Sequence, residues 1–450
     1  MPRKAKHLAM AWSVPSSAND AQPAMKPDIG LVLTGGGARA AYQAGVLSGV
    51  NRLRREAGEP DRNPFQVIVG TSAGAVNAAA LACGADEFDR AVRLIVQVWR
   101  HLEAGQVFRA DAFGVMRSGA RWLTLFTAGW ALARWRRNNP RSLLDNRPLE
   151  ELLREMVPLE RVPQLIEQGH LKALAISASS YSAGAHVTFY DSHRSLQPWT
   201  RSQRVALPCR LTTAHLMASS AIPFIFPAVP LALAGGYEYF GDGSMRQAAP
   251  ISPAVHLGAE RILVVGAGRL HEPVSTRPQA NGYPSLAQIA GHALSNIFLD
   301  ALAVDIERLQ RINHTLSLLA PEARARTALR PIELLVIAPS LRLDDIAARH
   351  LHALPAPVRA LLRSVGVTPQ NVEPGHAEAA RGAALASYLL FEAPYTRELI
   401  ALGEADTLAR RADVLSFFGW GSARAQRGED ALADAARAAV TPAVDSGWGE

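Results

Sequence analysis

The chain has 450 residues, of which 48% are apolar and 19% charged, and its net charge is +7. That balance supplies apolar side chains for a sizeable core and excludes global disorder. Its two cysteines, Cys83 and Cys209, have no metal-type spacing, and no RNP-like aromatic pattern or Lys/Arg block is present, so a disulfide framework, a zinc site and nucleic-acid binding are all set aside. The positive charge then points to an anionic lipid surface.

Residues 1–27 mix Ser, Pro, Ala and Asn without periodicity and read as a loose tail. The apolar stretch at 8–12 is too short for the core of a signal peptide. Order is expected from Asp28, with a buried-strand run at 29–33, a break at Gly35-Gly36-Gly37 and a helix over 38–55. A second strand at 65–69 leads into Ser72 and a helix over 73–83. Strand, glycine turn, helix, repeated, is the signature of a βαβ unit in a largely parallel sheet, hence an α/β fold. Helices are expected at 86–106 and 149–156, and strands at 171–177, 186–190, 237–240, 261–265 and 333–337. A long helix follows over 285–312, with several more over 377–417 and a disordered tail over 426–450. No run of 18 or more apolar residues argues for a spanning helix. Residues 28–340 thus form the main α/β domain and 341–425 a helical extension packed on it.

Two segments fall outside this alternation. Residues 121–137 are apolar, aromatic and arginine-flanked, which fits an interfacial or lid segment as well as a helix packed on the core. Residues 221–233 are apolar with three prolines, which reads as a loop wall able to line an acyl-chain pocket.

The most chemical stretch is Gly70-Thr71-Ser72-Ala73-Gly74, a β-branched strand feeding into Gly-x-Ser-x-Gly. This is the form of a nucleophile elbow, which exposes a serine Oγ above a sheet. Glycines on both sides leave room for the tight turn and the approaching substrate. The earlier turn, Gly35-Gly36-Gly37-Ala38-Arg39, opens a helix, so its N–H groups can face an anion, which beside an activated serine would be an oxyanion. Arg39 either adds positive charge there or holds the loop against neighbouring structure. The same turn also satisfies the loose dinucleotide pattern, but the second strand ends in Gly70-Thr71-Ser72 without the carboxylate that pattern needs. For the base, His186, His215, His256, His271 and His292 follow Ser72 and leave a Ser-His-Asp triad open. The competing candidate is Asp242, set between Gly241 and Gly243 straight after an aromatic strand, where a plain turn aspartate is the alternative.

Taken together, Gly-Gly-Gly-x-Arg, Gly-x-Ser-x-Gly and Asp242-Gly243-Ser244 resemble the patatin-like phospholipase family. Residues 40–47 (AAYQAGVL), 218–227 (ASSAIPFIFP) and 245–254 (MRQAAPISPA) are similar to bacterial members as well. The likeness is good over 28–270 and continues less specifically through 387–392 (SYLLFE); the family often has Gly in place of Ala40 and Ser244, both small changes. The resemblance implies a three-layer α/β/α fold and a lipid acyl hydrolase acting through an acyl-enzyme. It implies Ser72 as nucleophile, Asp242 as general base and an oxyanion hole at Gly35, Gly36, Gly37 and Arg39. It further implies a phospholipid or lysophospholipid substrate, no metal or other cofactor, and a cytoplasmic protein able to associate with a membrane face. A catalytically silent lipid-binding scaffold with the same fold is the rival from another class.

Overall fold

The computed structural model describes residues 27–109, 142–193, 196–269, 286–367 and 380–421. The lid or interfacial segment expected at 121–137, the tail expected at 426–450 and, but for Pro27, the tail expected at 1–27 lie outside these residues.

The apolar runs of the sequence become the middle of one sheet. Its strands are β1 (Ile29–Leu33), β2 (Val67–Thr71), β3 (Ala173–Ser180), β4 (Ala185–Ser192), β5 (Thr200–Arg201), β6 (Arg204–Pro208), β7 (Val229–Leu233), β8 (Gly236–Asp242), β9 (Arg261–Val265) and β10 (Glu333–Ile337). They run in the order β10-β9-β1-β2-β3-β4-β6-β5, and the hairpin β7–β8 joins at β3. From β10 through β3 every pairing is parallel, whereas β4 and β8 meet β3 antiparallel. Central parallel strands are covered on both faces, and this one divides its side chains accordingly. Leu31, Leu33, Ile68 and Leu263 enter one apolar layer, while Val32, Val67, Val69 and Val264 enter the other.

On the first face lie α1 (Ala41–Glu56), α2 (Ala73–Cys83), α3 (Phe88–Arg100) and the C-terminal helices Ala380–Ser387, Ala393–Ala409 and Arg411–Phe418. The long helical stretch expected over 285–312 continues to Ser317 through a π-helical turn at Asn296–Asp300; Phe298 joins the first layer, and the part beyond it lies on the second face. Although the sequence has no unbroken apolar run, Gln288–Ser317 is a 30-residue helix long and apolar enough to cross a membrane by length and composition. Here it lies along the sheet, burying Leu302 and Ile306, and Asp305 accepts the Ile251 N–H at 2.9 Å. The result is the three-layer α/β/α fold with added C-terminal helices.

Two expectations need correction. Residues 221–233 lie outside any strand only up to Ala228; from Val229 on, β7 pairs in register with β8 in spite of Pro230. Proline is tolerated there because, among the described residues, β7 is an edge strand with no partner besides β8. The helix expected over 86–106 stops at Arg100 and resumes as the single turn Ala104–Val107.

Candidate active site

Register brings residues 170 positions apart into contact. On one edge of β3, β2 pairs as far as Thr71 opposite Ser177, and β8 takes over at the very next position, with Asp242 opposite Ala178. The two strands approach that edge from opposite directions and stop head to head. Ser72, one residue beyond β2, therefore meets Asp242, the last residue of β8. Ser72 Oγ donates to Asp242 Oδ2 at 2.5 Å, and both residues are buried.

Ser72 sits at the head of α2 with φ 56° and ψ −131°, a backbone state that L-residues rarely hold. The turn is held from outside. The Ser72 N–H donates to Ser219 Oγ at 2.8 Å, and Ser219 Oγ donates to the Ser177 carbonyl at 2.6 Å. Beneath it, Gln247 Nε2 donates to Thr71 Oγ1 at 2.8 Å. The room that Gly74 leaves is filled by the protein itself: a Cβ there would stand 2.4 Å from the Leu33 carbonyl oxygen and 2.5 Å from that of Thr34. The motif glycine is thus required by the neighbouring strand, a tighter constraint than the expected room for substrate.

Asp242 is anchored in turn. Its N–H donates to the Ala221 carbonyl at 2.9 Å, and its Oδ1 accepts the Ser244 N–H at 2.9 Å. Burial pushes the carboxyl up to about 6, against the lowering effect of the hydrogen bonds from Ser72 and Ser244. An aspartate in this setting is a stronger base than one in water.

The first glycine turn lies beside this pair, because β1 and β2 are parallel neighbours with Leu33 opposite Gly70. Among the described residues, none accepts a hydrogen bond from the N–H groups of Gly35, Gly36 or Gly37, whereas Ala38 donates to the Tyr388 carbonyl at 3.0 Å and Arg39 to that of Gly36 at 3.1 Å. Gly37 has φ 56° and, with Ser72, lines one cavity. The Arg39 guanidinium is engaged by Ser387 and Asp344, so of its two expected roles the placement fits holding the loop.

That cavity, about 390 Å³, runs away from Ser72 along α2. Ala73, Val76, Ala80 and Cys83 give it one wall at helical spacing, with Leu94, Ile95 and Val98 of α3 and Leu149, Leu152 and Met156 of the helix Arg147–Met156 opposite. Ile222 and Phe226 close the end beside Ser72, as expected for a wall in that loop. Over the eleven residues of α2 such a groove is roughly 15 Å long. Asp86, Glu87, Arg90 and Arg161 mark its far rim.

The chain pattern left several supporting residues unnoticed. Ser219 is one. Another is the buried amide relay in which Gln43 Nε2 donates to the Thr34 carbonyl at 2.8 Å, Asn77 Nδ2 to Gln43 Oε1 at 3.0 Å and Trp99 Nε1 to Asn77 Oδ1 at 2.8 Å. It locks α1, α2 and α3 under the two turns, and the only signal in sequence is polar residues inside otherwise apolar helices.

With this geometry in place, comparison with known proteins becomes informative. The profile of the patatin-like phospholipase family matches residues 31–255. The chain belongs to the patatin-like phospholipase family, which places it among the lipid hydrolases. No curated protein matches it. Among solved structures it is similar to VipD from Legionella pneumophila, at 16% identity and a TM-score of 0.29, over 84% of this chain and 67% of that one. It is also similar to the type III effector protein ExoU, at 15% identity and a TM-score of 0.26, over 87% of this chain and 88% of that one. A third similar structure is full-length SpcU in complex with full-length ExoU from Pseudomonas aeruginosa, at 15% identity and a TM-score of 0.23, over 84% of this chain and 70% of that one.

Within this patatin-like fold the histidines stand apart from the serine. His186 is buried in β4 and pushed down to about 4 by burial, while His215 Nδ1 accepts the Thr212 N–H of its own helix cap. His256 stacks on Trp199 at 4.8 Å, and His292 is exposed. None of these four hydrogen-bonds to Ser72 or Asp242; His271 lies outside the described residues. Among the described residues no three His, Cys, Asp or Glu side chains gather as a metal site.

Proposed function

We propose that this chain hydrolyses carboxylic esters of phospholipids or lysophospholipids through a Ser72–Asp242 dyad and an acyl-enzyme. The observation that carries this reading is the buried hydrogen bond from Ser72 Oγ to Asp242 Oδ2, 2.5 Å long, at the mouth of an apolar cavity. Ser72 Oγ attacks the ester carbonyl carbon while its proton passes to Asp242. The N–H groups of Gly36 and Gly37, with Gly35 beside them, hold the oxyanion; each such donor contributes about 2.7–4 kcal/mol in the transition state. The tetrahedral adduct collapses, the C–O bond to the alcohol breaks, and Asp242 returns its proton to the departing alkoxide. Water, deprotonated by Asp242, then attacks the acyl-enzyme; the C–O bond to Ser72 breaks, and Asp242 passes the proton to Ser72 Oγ as the fatty acid leaves.

The cavity along α2 takes the acyl chain, each buried methylene contributing about 0.8 kcal/mol. Residues 28–340 act as the catalytic domain in this scheme and 341–425 as its extension. The net charge of +7 supports work on the face of an anionic membrane, which in this scheme the chain reaches from the cytoplasm. The decisive experiment is hydrolysis of phospholipid and lysophospholipid by the purified full chain and its Ser72→Ala and Asp242→Asn variants. Each substitution is expected to lower kcat by on the order of 10⁴-fold or more with the fold intact by circular dichroism. Turnover within tenfold of the parent in either folded variant would remove that residue from the dyad. An inert parent that also fails to react with a fluorophosphonate would favour the silent lipid-binding scaffold.

A further inference from the structure

Three glycines in a row form the most flexible backbone a chain can offer, yet oxyanion donors act only when fixed within a fraction of an ångström. Something must hold residues 35–37 still, and the contacts name it. Arg39 is 2% exposed. Its Nε donates to Ser387 Oγ at 2.8 Å, its Nη2 pairs with Asp344, and its guanidinium carbon lies 3.9 Å over the Tyr388 ring. Tyr388 grips the loop a second time, since its carbonyl accepts the Ala38 N–H at 3.0 Å. The same carbonyl stands so close to Gly37 that a Cβ there would be 2.3 Å from it. The Tyr388 ring also stacks on Phe298 with centroids 5.0 Å apart, and Phe298 in turn lies 2.9 Å from where a Gly35 Cβ would be. Phe298, Asp344, Ser387 and Tyr388 all lie beyond residues 31–255, the part of the chain that the family profile covers.

We propose that Asp344, acting through Arg39, and the Tyr388 carbonyl are positioning groups that fix the Gly36 and Gly37 N–H donors, so that the C-terminal helices are a working part of the catalytic site. This rests on the reading of those N–H groups as the oxyanion hole. A buried guanidinium that loses its carboxylate partner is left uncompensated and must move toward water or another acceptor. Arg39 is two residues from Gly37, so its movement displaces the donors. Substrate contacts along the α2 cavity stay as they are. The expected signature is therefore a fall in kcat at nearly constant KM.

The test compares two variants of the full chain on a soluble p-nitrophenyl ester. Asp344→Asn removes the charge that holds Arg39. Asp406→Asn weakens a different tie between the C-terminal helices and the body, where Asp406 accepts the Tyr42 hydroxyl at 2.9 Å and the Ser340 N–H at 3.0 Å without touching the loop. Both are expected to lower the melting temperature. Asp344→Asn alone is expected to lower kcat and the rate of fluorophosphonate labelling about 10- to 100-fold, part of the 10²–10³ that loss of a whole donor brings, with KM within twofold. Ser387→Ala, which removes the Nε acceptor together with the hydroxyl's bonds to the Ala384 carbonyl at 2.6 Å and Asp344 Oδ1 at 3.5 Å, is expected to give a smaller fall in the same constant and serves if Asp344→Asn does not fold. A kcat within twofold of the parent in Asp344→Asn, or in Ser387→Ala where that variant stands in, overturns the inference, as does an equal loss in Asp406→Asn. Ser72→Ala separates the two readings: if it stays active the dyad itself falls, and if it is dead while Asp344→Asn is unimpaired only the positioning role falls.

Discussion

The two glycine-rich turns make an informative pair. Both leave the carboxyl ends of adjacent parallel strands, both open a helical segment, and both contain one residue at φ 56°. After β1 that residue is Gly37; after β2 it is Ser72. In the first turn the unusual φ is met by the residue that adopts it freely, and a side chain is forbidden by the Tyr388 carbonyl. In the second the same φ is imposed on an L-residue at a cost of order 1–3 kcal/mol. On the proposed reading, strain is tolerated where a hydroxyl is needed and avoided where only backbone N–H groups are needed. The holders differ too. The elbow is braced by Ser219 and Gln247 of the core sheet region, whereas the first turn is braced by residues 298, 344, 387 and 388.

Gly37→Ala should produce the largest effect, because it adds both an unfavourable φ and a backbone clash. The φ contributes about 1–2 kcal/mol and the collision with a carbonyl oxygen more, so a loss above about 3 kcal/mol is expected in urea unfolding. Any protein that still folds should have kcat reduced roughly 10²-fold or more through displaced donors. A loss no greater than the φ penalty would mean that Tyr388 can move aside, and the contrast between the turns would be one of flexibility alone.

Asp242 tests the second turn through pH. With its carboxyl near 6 instead of the usual carboxylate range, kcat/KM should rise as pH passes through about 6, since the base must be ionised. Stability runs the other way. The folded chain holds the proton more tightly than the unfolded one, so stability is full below about pH 4 and declines as pH rises from there through about 6. Asp242→Asn, which cannot ionise, should come close to the parent at pH 4 and exceed it by about 3 kcal/mol at pH 8, read from urea midpoints at the two pH values. Equal stability at both would show that the Ser72 and Ser244 hydrogen bonds compensate the buried charge fully.

The elbow was legible in sequence because everything that makes it is local: a β-branched strand, small neighbours, and a serine between glycines. The strands β9 and β10 were legible for the same reason, as buried parallel strands read as unbroken apolar runs. Asp242 could be nominated from its flanking glycines, but its meeting with Ser72 depends on β8 taking over from β2 along β3, a register that no local pattern encodes. The short strands β5, β6 and β7 were missed, since β5 and β7 are edge strands and all three, with a proline or exposed residues, carry no apolar alternation. Arg39 showed its type and its motif but not its partners, which lie 305 and 348 positions away. Ser219 lies in the quoted stretch 218–227, but nothing local shows that its Oγ accepts the Ser72 N–H from 147 positions away.

The smallest effect is the most direct measure of the strain at Ser72. Ser72→Ala and Ser72→Gly both remove Oγ and its hydrogen bond to Asp242, and differ only in whether a Cβ must accept φ 56°. Glycine gives back about 0.5–1 kcal/mol of that relief through the greater freedom of its unfolded chain. Set against 1–3 kcal/mol of strain, Ser72→Gly should be the more stable of the two by about 1 kcal/mol, measured as the difference in urea midpoints. At Gly37 the same comparison, parent against Gly37→Ala, contains an equal φ contribution together with the Tyr388 collision. Subtracting one difference from the other therefore isolates what the C-terminal helices contribute to holding the first turn. If the two differences agree, φ alone distinguishes glycine from alanine in both turns, and the Tyr388 carbonyl has no part in fixing Gly37.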